Sequence, residues 1–280
     1  MEQRERPERA DVDVTIDGGI AIATLRSEPP ALLTGALLAR LVEIVSKVDD
    51  DPQVQVLILR SSTPGYFACH FDVNEILAFD KRQESSHDLK PYHAFCERLR
   101  TMSTISIAVV EGRIGGGAAE IAFSCDMRFA SLEEAVFSQP EVAIGLIPGG
   151  SGTVRIPRLI GRGRALEMML GCDDVDAATA AAWGLVNRAL PAADLWEFVE
   201  RLARRIASFP PYAVAAAKSA IVGAEVGVRE QLLTEAELFR SVLREPASRA
   251  QMQRFLELDG QSLQNEDAIG AFLGRLGTAG

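Results

Sequence analysis

Two glutamates occupy positions suited to proton transfer. Glu120 lies in "GRIGGGAAEIAFSCD", residues 112 to 126, three residues beyond the last of three consecutive glycines and inside a segment that reads as a buried helix. Residues without a Cβ let a substrate carbonyl approach the backbone, and the unpaired amides of a first helical turn stabilise negative charge growing on its oxygen. At i,i+3 the Glu120 side chain falls on the same helix face as the Gly117 amide. The alternative is that the glycines permit close helix-to-strand packing while Glu120 points to solvent. Glu141 comes from a second stretch, "AVFSQPEVAIGLIPGGSGT", residues 135 to 153, where Pro140 fixes the backbone entering a turn. Two positioned carboxylates are what paired proton transfers require, one taking a proton while the other gives one. A phosphate cradle fits less well, because the stretch has no GxGxxG and no Lys-Ser/Thr follows the glycines.

The elements around these residues follow from periodicity. Val12, Val14 and Ile16 alternate, "DGG" turns the chain, and Ile20, Ile22 and Thr24 alternate again, which predicts a β-hairpin. Proline and threonine in "EPPALLT" precede apolar residues at helical spacing through Val48. "VQVLILR" and "SIAVVEG" read as strands buried on both faces, and "PYHAFCERLRTMSTI" between them reads as a helix. Such alternation implies βαβ units and a layered α/β fold. Beyond Pro148 the pattern is mostly helical, with segments near 161–171, 176–183, 192–208, 211–223, 228–244, 246–258 and 265–276. The division expected is a charged arm over 1–10, a core over 11–208 and a helical region over 209–280, with "SFPP" at the boundary.

Composition limits the function classes. The chain has 280 residues, is 48% hydrophobic and 24% charged, and carries a net charge of −10, which argues against nucleic acid or an anionic membrane as principal partner. No apolar run approaches membrane-spanning length and "MEQRERPERADV" has no signal-peptide core, so a cytoplasmic location is expected. Cys69, Cys96, Cys125 and Cys172 lie far apart without a CxxC pair, and the histidines are His70, His87 and His93. Free thiols are expected, with neither a disulfide framework nor a metal site.

The "GGG…E…CD" and "QPE…G…PG" pair, in this order and spacing, closely resembles the enoyl-CoA hydratase/isomerase (crotonase) superfamily, as does "GRGRALEMMLGCDDVDAATAAAWGLVNRALP". One extra residue in "ASLEEAVF" departs from the family spacing. The resemblance covers about Val12 to Leu276. It implies an α/β, crotonase-like spiral of ββα units with a helical C-terminal trimerisation region, assembled as a homotrimer or a dimer of trimers. The apolar faces of those helices, including Leu232, Leu233, Leu238 and Phe239, are excessive for the flank of a monomer and predict the same assembly. The resemblance also implies an acyl-CoA thioester substrate, CoA arriving as part of that substrate and no separate cofactor. Glu120 and Glu141 match the family's acids, and Gly117 and Cys69, the latter from "YFACHFD", match its oxyanion-hole amides. Ala68, His70, Phe71, Asp72, Gly116 and Gly149 are the substrate- and CoA-binding residues it suggests. Hydration of a 2-enoyl-CoA is the expected reaction. The alternatives are isomerisation, decarboxylation or thioester hydrolysis on the same site, or acyl-CoA binding without turnover. His70 stands where relatives commonly have glycine. It can pack away from the site, narrow the pocket, or act as a third acid-base group.

Overall fold

A computed structural model describes residues 11–79 and 88–278. The charged arm at 1–10 and His87 lie outside the described residues.

After an opening hairpin the chain repeats a long strand, a short strand and helix, from Val56 to Gly171. β1 (Asp11–Asp17) and β2 (Ile20–Arg26) form the expected antiparallel hairpin. Helix α1 (Gly35–Asp50) begins at the expected threonine, because the Thr34 hydroxyl accepts from the Leu37 amide at 3.2 Å. Then come β3 (Val56–Ser61), the short β4 (Tyr66–Ala68), α2 (Val73–Ala78) and α3 (Pro91–Thr101). The next turn of the spiral is β5 (Ile105–Val110), β6 (Arg113–Gly115) and α4 (Gly116–Ser124). It is followed by β7 (Met127–Ser131), β8 (Val136–Ser138), a 3-10 turn at Val142–Ile144 and α5 (Gly152–Gly171). β9 (Val175–Asp176), α6 (Ala177–Trp183) and β10 (Arg188–Leu190) close the series.

The long strands, with the short β10 at the edge, build one sheet in the order β1-β2-β3-β5-β7-β10, parallel beyond the hairpin, while the other short ones build a second in the order β4-β6-β8-β9. This is the ββα spiral that the motifs imply. β3 and β5 are almost wholly buried, as continuous apolar runs require. Strands β4, β6 and β8 have three residues each, too few to show a period in the sequence.

The remaining helices are α7 (Ala192–Ala207), α8 (Pro211–Gly223), α9 (Val228–Arg244), α10 (Pro246–Glu257), α11 (Leu263–Glu266) and α12 (Ile269–Thr278). Helices α9 to α12 fold back on their own chain. Leu243, Met252, Phe255, Phe272 and Leu273 form one cluster with Val73 and Ile76 of α2 and with Ile144 and Leu146 at the 3-10 turn. Burying a side chain such as Phe255 contributes roughly 1.5–3 kcal/mol. This corrects one expectation. The apolar residues of α9 that suggested a subunit interface include Leu232, fully buried against Val154 and Val228, and Phe239, packed on this same cluster. Only Leu238 of that set is exposed. No helix among the described residues is long and apolar enough to cross a membrane.

Candidate active site

The triple glycine serves both purposes that its sequence allows. A Cβ on Gly115 would stand 2.5 Å from Ser138 Oγ, so this residue is glycine because β6 lies tightly against β8. Gly116 has φ 47, in the left-handed region, and a Cβ there would come within 2.7 Å of His70 Cβ and 2.9 Å of Glu141 Oε1. Gly117 faces Tyr92 Oη, Leu33 and Phe71. Helix α4 starts here with no side-chain cap, leaving first-turn amides for another partner.

All nine residues of α4 are buried, and Glu120 with them. Its carboxylate does not point to solvent. Oε1 accepts the amides of Gly150 at 3.0 Å and Gly152 at 2.6 Å, and Oε2 lies 3.1 Å from the Gly150 nitrogen. Both donors come from the "PGGSG" stretch, and a Cβ on either would collide with the carboxylate. Burial pushes Glu120 well above the ordinary carboxylate range; the charges of Glu141 and Glu235 add to the rise, and the two amides oppose it.

Glu141 stands directly before the 3-10 turn, and its carbonyl receives the amides of Ile144 at 3.2 Å and Leu146 at 2.9 Å. In the orientation that satisfies both ends of its amide, Gln139 donates to Glu141 Oε2 at 2.9 Å. Burial raises Glu141 to about 7, with its own amide and the His70 charge pulling downward and Glu235 pushing upward. Both acids open on one cavity of about 520 Å³, lined also by Gly117, Phe71, Tyr92 and an apolar set that includes Ile76, Phe79, Leu146 and Phe239.

The second oxyanion amide is not that of Cys69. Cys69 donates its N–H to the Ala31 carbonyl at 2.9 Å, so it is spent on the backbone. The reason lies in the parallel bridge between Leu33 and Phe71, in which the Leu33 amide donates to the His70 carbonyl (3.1 Å) and the Asp72 amide to the Leu33 carbonyl (2.9 Å). In a parallel ladder these bonds turn the N–H of the intervening residue to the opposite side. That residue is Phe71, whose amide donates to no backbone carbonyl among the described residues and whose Cβ faces Gly117.

Of the other suggested binding residues, His70, Phe71 and Gly149 line the cavity. Gly116 lies behind it, against His70 and Glu141. Ala68 is a core residue of β4 paired with Ile114, and Asp72 caps α2 by accepting from the Asn74 amide at 2.9 Å; neither lines the cavity. The His70 ring is fully committed. Nδ1 lies 3.0 Å from the Phe71 carbonyl, Nε2 meets Glu266, and Phe255 packs edge-on at 5.7 Å. Burial alone would lower the His70 pKa, but the charge and hydrogen bond of Glu266 outweigh it and hold the ring at about 9.

Several residues of the site escaped the sequence. Tyr92 donates its hydroxyl to the Gly117 carbonyl at 2.5 Å, and Gln139 orients Glu141. Glu235 and His93 are buried behind the loop that holds Glu120. A signal for Glu235 existed, since it lies on the apolar stripe Leu232, Ala236, Phe239, Leu243, where a lone acid needs partners.

The chain matches known proteins over most of its length. Residues 15–263 match the family described as enoyl-CoA hydratase/isomerase. A short-chain-enoyl-CoA hydratase of Clostridium acetobutylicum is 30% identical over 244 residues, 86% of this chain and 92% of that protein. A crotonyl-CoA hydratase of Syntrophomonas wolfei is 32% identical over 224 residues, 79% of this chain and 84% of the relative. Among solved structures, one from Streptomyces avermitilis superposes with TM-score 0.85 at 31% identity, covering 95% of this chain and 98% of that one. An enoyl-CoA hydratase from Mycobacterium avium subsp. paratuberculosis gives 0.76 at 26% identity, with 89% and 96% covered.

Proposed function

From the premise that the chain belongs to the enoyl-CoA hydratase/isomerase family, we propose that it is a hydro-lyase adding water across the C2–C3 double bond of a 2-enoyl-CoA. The observation that carries this reading is the pair of buried acids, Glu120 held by two amides and Glu141 held by its turn, on one cavity with the Gly117 amide. The thioester oxygen sits between the amides of Gly117 and Phe71. One such donor contributes roughly 2.7–4 kcal/mol as the oxygen gains enolate charge. Water held between the acids gives its oxygen to C3 and a proton to Glu120, while Glu141 gives a proton to C2. The step is redox-neutral, and CoA enters with the substrate.

Burial lifts both acids, so the pair keeps a proton near neutrality. The titration steps belong to the pair. Hydration uses the form with the proton on Glu141, and dehydration the form with it on Glu120. Isomerisation has less use for an acid fixed as Glu120 is. The test is a panel of enoyl-CoA thioesters followed by loss of conjugated-enoyl absorbance and by product mass. Gain of water supports the reading; migration of the double bond, loss of carbon dioxide or release of free CoA overturns it.

A homotrimer or dimer of trimers belongs to the same proposal. Its support moves from α9 to α8 and the segment after it, where Tyr212, Ile221 and Val226 are 79%, 72% and 82% exposed. A cytoplasmic location is supported by four buried cysteines, all free.

A further inference from the structure

Glu235 is a fully buried acid that the chemistry above does not use. It reaches the site from α9, anchored by Leu232 and Val228 against Val154. Its carboxylate accepts the amides of Ser151 at 2.8 Å and Thr153 at 3.0 Å, the Thr153 hydroxyl, and His93 Nε2 at 3.0 Å. His93 Nε2 also lies 2.9 Å from the Gly149 carbonyl. The amides between them, Gly150 and Gly152, go to Glu120. Alternate residues of one loop are therefore held by two different carboxylates. At its centre Ser151 has φ 104, a left-handed conformation that costs a non-glycine residue about 1–3 kcal/mol and persists only where the surroundings impose it.

We propose that Glu235, backed by His93, is the positioning residue for Glu120: it holds the Ser151 turn so that the Gly150 and Gly152 amides converge on the Glu120 carboxylate. The C-terminal helices thereby set the geometry of an acid whose position in the chain is more than a hundred residues earlier. Besides Glu235, the titratable and charged groups around the two acids are Tyr92, His93 and Cys96 of α3, His70 with Glu266 behind it, and Glu75, Lys90 and Arg240 on the cavity they share. Glu235 acts on both acids in the same direction, raising each.

The test is Glu235→Gln, which keeps the size of the side chain, removes the charge and turns one acceptor into a donor facing two backbone amides. For its kinetic arm the inference rests on the hydratase reading. With an enoyl-CoA that the wild type hydrates, kcat falls on the order of 10²-fold, and KM stays within a few-fold. Thr153→Val lowers kcat in the same sense by less, and Thr153→Ser recovers most of that loss. If the wild type hydrates none of the panel, the hydratase reading fails while the clamp is still tested, by infrared titration of the protonated Glu120 carboxyl identified by its absence in Glu120→Gln. Thr153→Val, which leaves every charge in place, should move that titration to higher pH, because loosening the turn withdraws the Gly150 and Gly152 amides that oppose the rise. An unmoved titration in folded Thr153→Val overturns the proposal, as does a kcat unchanged in both Glu235→Gln and Thr153→Val. Should Glu235→Gln fail to fold, Thr153→Val alone decides, through kcat and the same titration.

Discussion

One wall of the cavity is braced by Glu235 and the opposite wall by Glu266, both buried carboxylates supplied by the C-terminal helices and both paired with a histidine. Their partners differ. Glu235 is satisfied mainly by groups that do not titrate, two amides and a hydroxyl, with His93 added. Glu266 meets the His70 ring and the Cys69 thiol, and His70 in turn reaches the Phe71 carbonyl, next to the amide assigned to the oxyanion hole. Nearby, Tyr66 donates to Asp267, and Arg113 binds the Asp267 carbonyl at 2.8 Å and Asp174 through both terminal nitrogens. An acid held by amides keeps its geometry at any pH at which it stays ionised. A histidine that faces an acceptor at each ring nitrogen keeps both bonds only while it is protonated, because a neutral imidazole has one N–H to give. The Glu235 clamp on the Ser151 turn is thus held mainly by groups that do not titrate, and the oxyanion wall by a histidine that does.

The largest effect that can break this comparison is on the two acids that the walls position. Glu120→Gln and Glu141→Gln should each lower turnover about 10²–10⁴-fold, and the double variant should be little worse than either, because groups acting on one water fail as a unit. Multiplicative losses would mean that the acids serve separate steps. The same pair sets the rate profile. As pH drops through about 7 Glu141 takes up a proton while burial holds Glu120 above the ordinary carboxylate range, so the form with one acid ionised is lost and kcat/KM falls, in hydration and dehydration alike. A profile flat between pH 5 and 8 would remove the shared-proton mechanism.

Next in size is the stability of the oxyanion wall. The folded-state pKa of His70 lies at about 9, above its unfolded value of 6.5, so its contribution is fully present below 6.5 and disappears as pH rises through 9. A shift of this size is on the order of 3 kcal/mol. Urea unfolding of Glu266→Gln should show a loss of that order near pH 6, and the gap from wild type should close toward pH 9.5. A gap independent of pH would show that His70 is neutral in the folded chain and that the two walls are alike.

What the sequence disclosed of these walls follows physical range. Glu120 and Glu141 were legible because each is fixed by neighbours within a few residues: glycines and a helix start for one, Pro140 for the other. Helices from α5 to α10 were legible from periodicity, although α5 begins at Gly152 rather than near 161, since Gly161 with φ 79 interrupts it and hides the first turns, and the single segment expected over 265–276 is two helices, α11 and α12. The partners of Glu235 are 82 and 84 residues away, and no local pattern carries that distance. The misplaced oxyanion amide has a subtler cause. Cys69 and Phe71 both lie along one extended segment, and only the bridge to Leu33 decides which amide is spent and which is turned outward. Apolar α9 residues looked surplus for the same reason, because their partners in the 3-10 turn and α5 are distant in sequence.

The smallest expected effect concerns Tyr92, which touches both halves of the comparison. Its hydroxyl donates to the Gly117 carbonyl at 2.5 Å, while a Cβ on Gly150 would stand 2.5 Å from its ring, so it spans from the oxyanion amide to the Glu120 clamp. Burial pushes the hydroxyl well above its ordinary pKa, so it stays neutral and acts as a donor rather than an acid-base group. Tyr92→Phe keeps the ring and removes one hydrogen bond, worth about 1 kcal/mol net. If that bond only steadies the Gly117 peptide, kcat should fall roughly fivefold, and the limbs of the rate profile should stay where they are. A loss beyond 10²-fold, or a displaced limb, would place Tyr92 in the proton transfer itself and make the two walls a single titrating unit.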